Sequence, residues 1–240
     1  MQVIPFLLPG IPDEETSLRL LFDFLSRPYF PFVEVGLPSR NPYLDGGVIR
    51  TAHRRLRESG FDWEKALTLL EEGVQGENNR KIILMGYLRD LEGFGMAQFQ
   101  HWASSLNPGG VLLVGSQKKV LAAGNQLTVP LVPVVTVRDT VKTLRPFLGK
   151  YLPFIYFRVG AKRTGEEDFF PLPLIEKALH TVKEIFPETP VFAGFGVNDR
   201  EKASLLKKLG FSGVVVGSAL LARIMAGHPV ADFLRELEEL

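Results

Sequence analysis

The chain has 240 residues, 45% of them hydrophobic, and its 28 basic and 27 acidic side chains leave a formal net charge of +1. There is enough apolar material for a large buried core, while so even a charge balance offers no long-range field for nucleic acid or a membrane surface. Cysteine is absent, which excludes disulfides, thiolate catalysis and cysteine-ligated metal.

The start, Met1-Gln-Val-Ile-Pro-Phe-Leu-Leu, has no basic segment and meets Pro5, then Pro9-Gly10, after a few apolar residues. It reads as a first strand and not as a signal peptide. No uninterrupted apolar run approaches the roughly 20 residues that span a bilayer, so a cytoplasmic location is the default expectation. Beyond this point short apolar runs alternate with amphipathic stretches. The runs predict strands over Val3–Leu8, Phe32–Gly36, Lys81–Met85, Gly110–Val114, Leu131–Val135, Phe154–Arg158, Val191–Gly194 and Gly213–Val216. Helical periodicity covers Glu14–Ser26, Val48–Ser59, Trp63–Glu72, Ala97–Ser104, Lys118–Ala123, Thr140–Leu148, Leu172–Ile185, Arg200–Leu209 and Val230–Leu240. No linker or composition shift divides the chain. Eight strand–helix units in this length predict an α/β fold of the (β/α)8 TIM barrel type, with residues 1–240 as a single domain.

Two acids stand out near the second strand. Glu34 lies inside the apolar run Phe32–Val35, where burial should raise its proton affinity. Asp45 falls in the following loop, expected to be wetter, where a carboxylate should stay charged. Such a pair suits general acid/base chemistry. The plain alternative is a Glu paired with a core Arg, and an Asp capping the helix that starts near Val48. The longest irregular stretches, Leu37–Gly47 and Val159–Pro171, follow the second and sixth strands and should open on one face of the barrel, where the active sites of this fold are built.

The last two strands end in Val191-Phe-Ala-Gly-Phe-Gly-Val-Asn198 and Gly213-Val-Val-Val-Gly-Ser-Ala-Leu220. Glycine between a strand and a helix leaves backbone N–H groups able to converge on an anion, assisted by the helix dipole. Gly196, Gly217 and the N–H and hydroxyl of Ser218 are candidate phosphate donors, with Thr164-Gly165 as a third wall. The other reading is that these glycines only permit tight turns. Tyr156, in the sixth strand, either points into the site beside Glu34 or fills the barrel. The four histidines, His53, His101, His180 and His228, occupy helical or helix-start positions without ligand spacing, so no metal site is expected.

The ordered set Pro5-Phe6, Val33-Glu-Val-Gly-Leu-Pro38, Asn41-Pro42, Leu44-Asp-Gly46, Gly194-Phe-Gly196 and Val216-Gly-Ser218 resembles the tryptophan synthase alpha chain family, over about residues 3 to 226. The resemblance implies a (β/α)8 barrel that cleaves indole-3-glycerol phosphate to indole and glyceraldehyde 3-phosphate without a cofactor, usually in complex with a pyridoxal-phosphate beta chain. By position it implies that Glu34 is the general acid/base and that Asp45 accepts the indole N–H. Phe6, Leu84 and Phe195 would hold the indole and Tyr156 would line the pocket, while Gly165, Gly196, Gly217 and Ser218 would bind phosphate. The chain departs from the pattern at Ser39-Arg40-Asn41, at Gly10-Ile-Pro12, at Val114-Gly-Ser-Gln-Lys118 and at Lys162-Arg163, and the amino-terminal helix common in the family is not expected before the first strand. Several of these positions serve beta-chain docking in the family, so they bear on partner coupling more than on barrel chemistry. Two alternatives stay open at this point: an alpha-like barrel acting on another sugar phosphate, and a non-catalytic regulatory subunit.

Overall fold

Runs rich in β-branched and aromatic residues, closed by glycine or proline, form the strands of the computed structural model, which describes residues 1–74, 76–160 and 169–239. In chain order the elements are β1 (Gln2–Leu7), α1 (Glu14–Ser26), β2 (Val33–Gly36), α2 (Gly47–Glu58), α3 (Trp63–Gly73), a 3-10 turn (Gly76–Lys81), β3 (Ile82–Tyr87), α4 (Leu88–Phe94), α5 (Met96–Leu106), β4 (Gly110–Val114) and α6 (Gln117–Gly124). There follow β5 (Val134–Val135), α7 (Val141–Leu144) with a 3-10 turn (Arg145–Phe147), β6 (Ile155–Arg158), α8 (Leu172–Ile185), β7 (Val191–Gly194), α9 (Arg200–Lys208), β8 (Gly213–Val216), α10 (Ser218–Met225) and α11 (Ala231–Glu238). Asp13, Asp62 and Asp199 start α1, α3 and α9 by accepting the N–H of Thr16, Lys65 and Lys202, which satisfies donors that a helix's first turn leaves unpaired.

All strand pairs are parallel, in the order β4-β3-β2-β1-β8-β7-β6-β5. β4 meets the segment that leads into β5 through a parallel bridge between Val111 and Leu131. There Val111 N–H donates to Pro130 O and Val132 N–H to Val111 O, both at 2.8 Å, and the sheet is a nearly closed barrel. The fifth strand is shorter than its sequence predicts because Pro130 and Pro133 have no N–H to give to a ladder. Pro146 likewise cuts the helix expected over Thr140–Leu148 to one turn followed by 3-10. The periodic stretches leave out α4 and α10, each of which starts within two residues of the end of its strand.

Side chains alternate across each strand. Glu34 pairs in register with Phe6 on one side and Ile83 on the other. Ile4, Ile83, Met85, Tyr87, Leu112, Val132, Phe154, Tyr156, Phe192 and Val215 form an inner cluster. Val33, Val35, Ile82, Leu84, Val111 and Leu113 belong instead to the larger cluster shared with the helices. Among the described residues no helix is long and apolar enough to cross a membrane.

Candidate active site

Glu34 projects from β2 and is 4% exposed. Among the described residues its side chain forms no ion pair with an arginine, so the reading of a Glu salt-bridged to a described core arginine does not hold. Burial, with the charge of Asp45 as the lesser cause, pushes its carboxyl up to about 8. The group therefore carries a proton at neutral pH.

Asp45 departs from expectation: it is 3% exposed, so the loop that carries it is not wet at this point. The reason lies elsewhere in the chain. Tyr87, at the end of β3, donates its hydroxyl to Asp45 Oδ2 at 2.7 Å. Burial and the neighbouring carboxylate raise the phenol's own pKa, so it stays a neutral donor. Asp45 does not cap α2 either, because Gly46 is the capping residue.

The loop between β2 and α2 is tied down along its length. Leu37 N–H donates to Met85 O at 2.8 Å and Trp63 Nε1 donates to Pro38 O at 2.7 Å. Ser39 Oγ donates to Asp90 Oδ2 at 2.5 Å and Arg40 N–H to Asp90 Oδ1 at 3.3 Å. Asp45 N–H closes the loop on Pro42 O at 3.0 Å. The residues that depart from the family pattern here are thus anchored by this chain's own α4.

Phe6, Glu34, Asp45, Ile49, Met85, Tyr156, Phe195, Gly196, Val197, Val215, Gly217 and Ser218 line one cavity of about 40 Å3. An adjoining chamber of about 210 Å3 shares Glu34, Met85, Tyr156 and Phe195 with it and continues past Tyr43, Leu112, Val114, Gln117, Val134, Thr136 and Arg158. Both acids, Phe6, Tyr156, Phe195 and the glycine turns after β7 and β8 therefore face one space. Leu84 does not: it is on the outward face of β3, and Met85 takes the inward place. Thr164 and Gly165, with Lys162-Arg163, lie outside the described residues.

Two backbone features shape the walls. Phe195 and Gly196 have φ of 69° and 100°, a conformation that costs a bulky residue on the order of 1–3 kcal/mol. It ends β7 abruptly and leaves the Phe195 ring against Tyr156, edge to face at 6.0 Å. Arg158 lies over the other part of this aromatic corner, its guanidinium 4.8 Å from the Phe195 ring centre. Tyr87, Met85, His53 and Arg158 were not singled out from sequence as site residues. The alternation Ile83, Met85, Tyr87 was the available signal for the first two, whereas nothing local marks His53 or Arg158.

A nearly closed parallel barrel, with a proton-carrying Glu and a hydrogen-bonded Asp in one cavity beside the turns after its last two strands, places the chain among the (β/α)8 barrels, with its candidate site at the face where such barrels carry their chemistry. The comparisons with known proteins narrow this class. The chain belongs to the tryptophan synthase alpha chain family, whose sequence model matches residues 1–239. It is 31% identical over 225 residues to the tryptophan synthase alpha chain of Carboxydothermus hydrogenoformans, covering 91% of this chain and 82% of the relative. To that of Pyrococcus abyssi it is 29% identical over 237 residues, covering 94% and 90%. A solved mutant alpha-subunit from Pyrococcus furiosus superposes with a TM-score of 0.77 at 27% identity, covering 99% of this chain and 96% of that one. Membership makes the chain a lyase of tryptophan biosynthesis acting on indole-3-glycerol phosphate.

Proposed function

We propose that Glu34 and Asp45 carry the cleavage of indole-3-glycerol phosphate, with Glu34 working in turn as acid and base. Protonated Glu34 gives its proton to C3 of the indole ring, placing positive charge on the ring N–H, which Asp45 stabilises. The resulting Glu34 carboxylate then takes the proton of the hydroxyl on the carbon attached to C3. The oxygen's electron pair forms the aldehyde carbonyl, the bond between that carbon and C3 breaks, and its electron pair restores the C2=C3 double bond of the ring while the C2=N pair returns to the nitrogen, so that indole and glyceraldehyde 3-phosphate form. Glu34 ends protonated, as it began. A carboxyl whose pKa is pushed up to about 8 suits both halves of this cycle.

The phosphate belongs at Gly196, Gly217 and Ser218, where the start of α10 adds its dipole. The indole belongs against Phe6, Phe195 and Met85, with Tyr156 behind. A molecule of this size needs more than the first cavity, so it draws on both chambers. The observation that carries the reading is the convergence of Glu34, Asp45, Gly196, Gly217 and Ser218 on one cavity. Indole release from the substrate by the wild-type chain, set against Glu34→Gln and Asp45→Asn, tests it. A wild-type chain that releases no indole, alone or with a beta chain, ends the proposal.

A beta chain is the partner we infer from family membership. The internal anchoring of Ser39 and Arg40 supports a contact whose loop is already held in place before docking. Co-elution of the chain with a tryptophan synthase beta chain tests this, and separate elution at micromolar concentration counts against it.

A further inference from the structure

The buried imidazole of His53 has no part in the scheme above, and its surroundings are specific. His53 sits on α2, one turn after Ile49, with 1% of its surface exposed. Its Nδ1 accepts the N–H of Ser39 at 3.2 Å. An accepting Nδ1 requires the proton of a neutral ring to be on Nε2. That Nε2 is fully buried and has no hydrogen-bond partner. It lies 3.9 Å from Asp45 Oδ2, the same oxygen that Tyr87 bonds.

Burial pushes the imidazolium pKa down to about 4. The ring is therefore neutral at pH 7, and its approach to Asp45 is that of a neutral donor to a carboxylate, not an ion pair. A buried donor left unbonded is unfavourable, and an apolar residue at this inward helical position would avoid that cost. At 3.9 Å the donor is one small side-chain movement from bonding distance, and contacts of this kind in active sites often tighten only when substrate is bound.

We propose that His53 is a positioning residue for Asp45: when the indole N–H engages the carboxylate, Nε2–H of His53 closes on Oδ2 and, with the Tyr87 hydroxyl, holds Asp45 in the orientation that stabilises the protonated ring. The proposal rests on the lyase reading for its consequence and on geometry for its contact. It also links Asp45 to the loop through Ser39, so the loop's anchoring and the carboxylate's orientation share one side chain.

Two substitutions separate the halves of the ring. Asn at 53 can accept from Ser39 but offers no donor at the Nε2 position, and Gln offers the donor but gives up the Ser39 contact. His53→Asn is expected to lower kcat for indole release by about 10- to 100-fold, what one hydrogen bond to a charged group is worth, with little change in KM. His53→Gln should recover most of that loss, although both variants lose thermal stability. A purely structural histidine would shift the melting temperature in both and leave kcat alike. Equal kcat losses in the two variants, or an undiminished kcat in His53→Asn, overturn the proposal.

A second measurement does not need turnover. In the 15N spectrum of the histidine-labelled chain, His53 should carry its proton on Nε2, and that signal should move in Asp45→Ala. A proton on Nδ1, or an Nε2 signal indifferent to Asp45→Ala, overturns the proposal even if the enzyme is active. A wild-type chain without turnover instead strikes the lyase reading and leaves this contact to be judged by the spectrum.

Discussion

Gly194 and Tyr156 compete for one volume. A Cβ on Gly194 would collide with the Tyr156 hydroxyl and the ring carbon that bears it, so the phenol beside Glu34 is where it is because its neighbour on β7 has no side chain.

Gly194→Ala therefore displaces Tyr156 from the cavity wall. Overpacking of this kind costs about 1–3 kcal/mol, and indole release should fall with it. The same substitution in a Tyr156→Ala background should cost markedly less, because contacting residues couple by about 0.5–3 kcal/mol. Chemical denaturation of the four proteins of the cycle measures the coupling, and additive costs would contradict the collision.

Glu34→Gln should reduce indole release by roughly 10²–10⁴-fold, the range for removal of a general acid/base. Its effect on stability has the opposite sign and depends on pH. The carboxyl goes from its ordinary value of 4.5 to about 8 on folding, so between these pH values the folded chain holds a proton that the unfolded chain has released. Stability then falls as pH rises through that window, by at most about 1.4 kcal/mol per pH unit from this group. Urea midpoints of Glu34→Gln minus wild type should widen from pH 4.5 to 8 and level off above. In the wild type, kcat/KM should decline above pH about 8, where Glu34 in the free enzyme loses its proton.

Tyr87→Phe leaves the ring packed but takes a hydrogen bond from buried Asp45. A loss of about 1–3 kcal/mol is expected for a carboxylate deprived of a donor. Activity should fall mainly in kcat, because in the proposed cleavage Asp45 acts on charge that develops during the reaction. Steady-state kinetics with a melting curve check both, and a change confined to KM would place Tyr87 outside this role.

Arg158→Leu removes the cation stacked on Phe195. A stacking interaction of this type is worth about 0.5–2 kcal/mol, so KM should rise several-fold as the Phe195 ring loosens, with kcat little changed. A fall in kcat at constant KM would mean that the guanidinium acts on the reacting atoms instead.

Much of this architecture is legible in the chain. The bounds of α1 and α8 match their periodic stretches, and Glu34 announces itself as a carboxylate inside an apolar run. The turns after β7 and β8 show in their glycines. Leu84 is the instructive failure. On a strand a displacement of one residue exchanges the two faces, and only the pairing of Glu34 with Ile83 decides that Met85 looks inward and Leu84 outward. Asp45 is the other. Its loop is rich in proline and glycine, which reads as exposed, yet its environment is made by Tyr87, 42 positions away.

Alternating polarity, turn glycines, prolines that interrupt ladders and a balanced charge act between near neighbours along the chain, and so the barrel and the identity of its acids follow from order alone. The protonation of Glu34, the burial of Asp45 and the orientation of His53 arise from groups brought together across the barrel. Their energies depend on which side chains exclude water from a carboxylate, and that is settled only when strands and helices close around it.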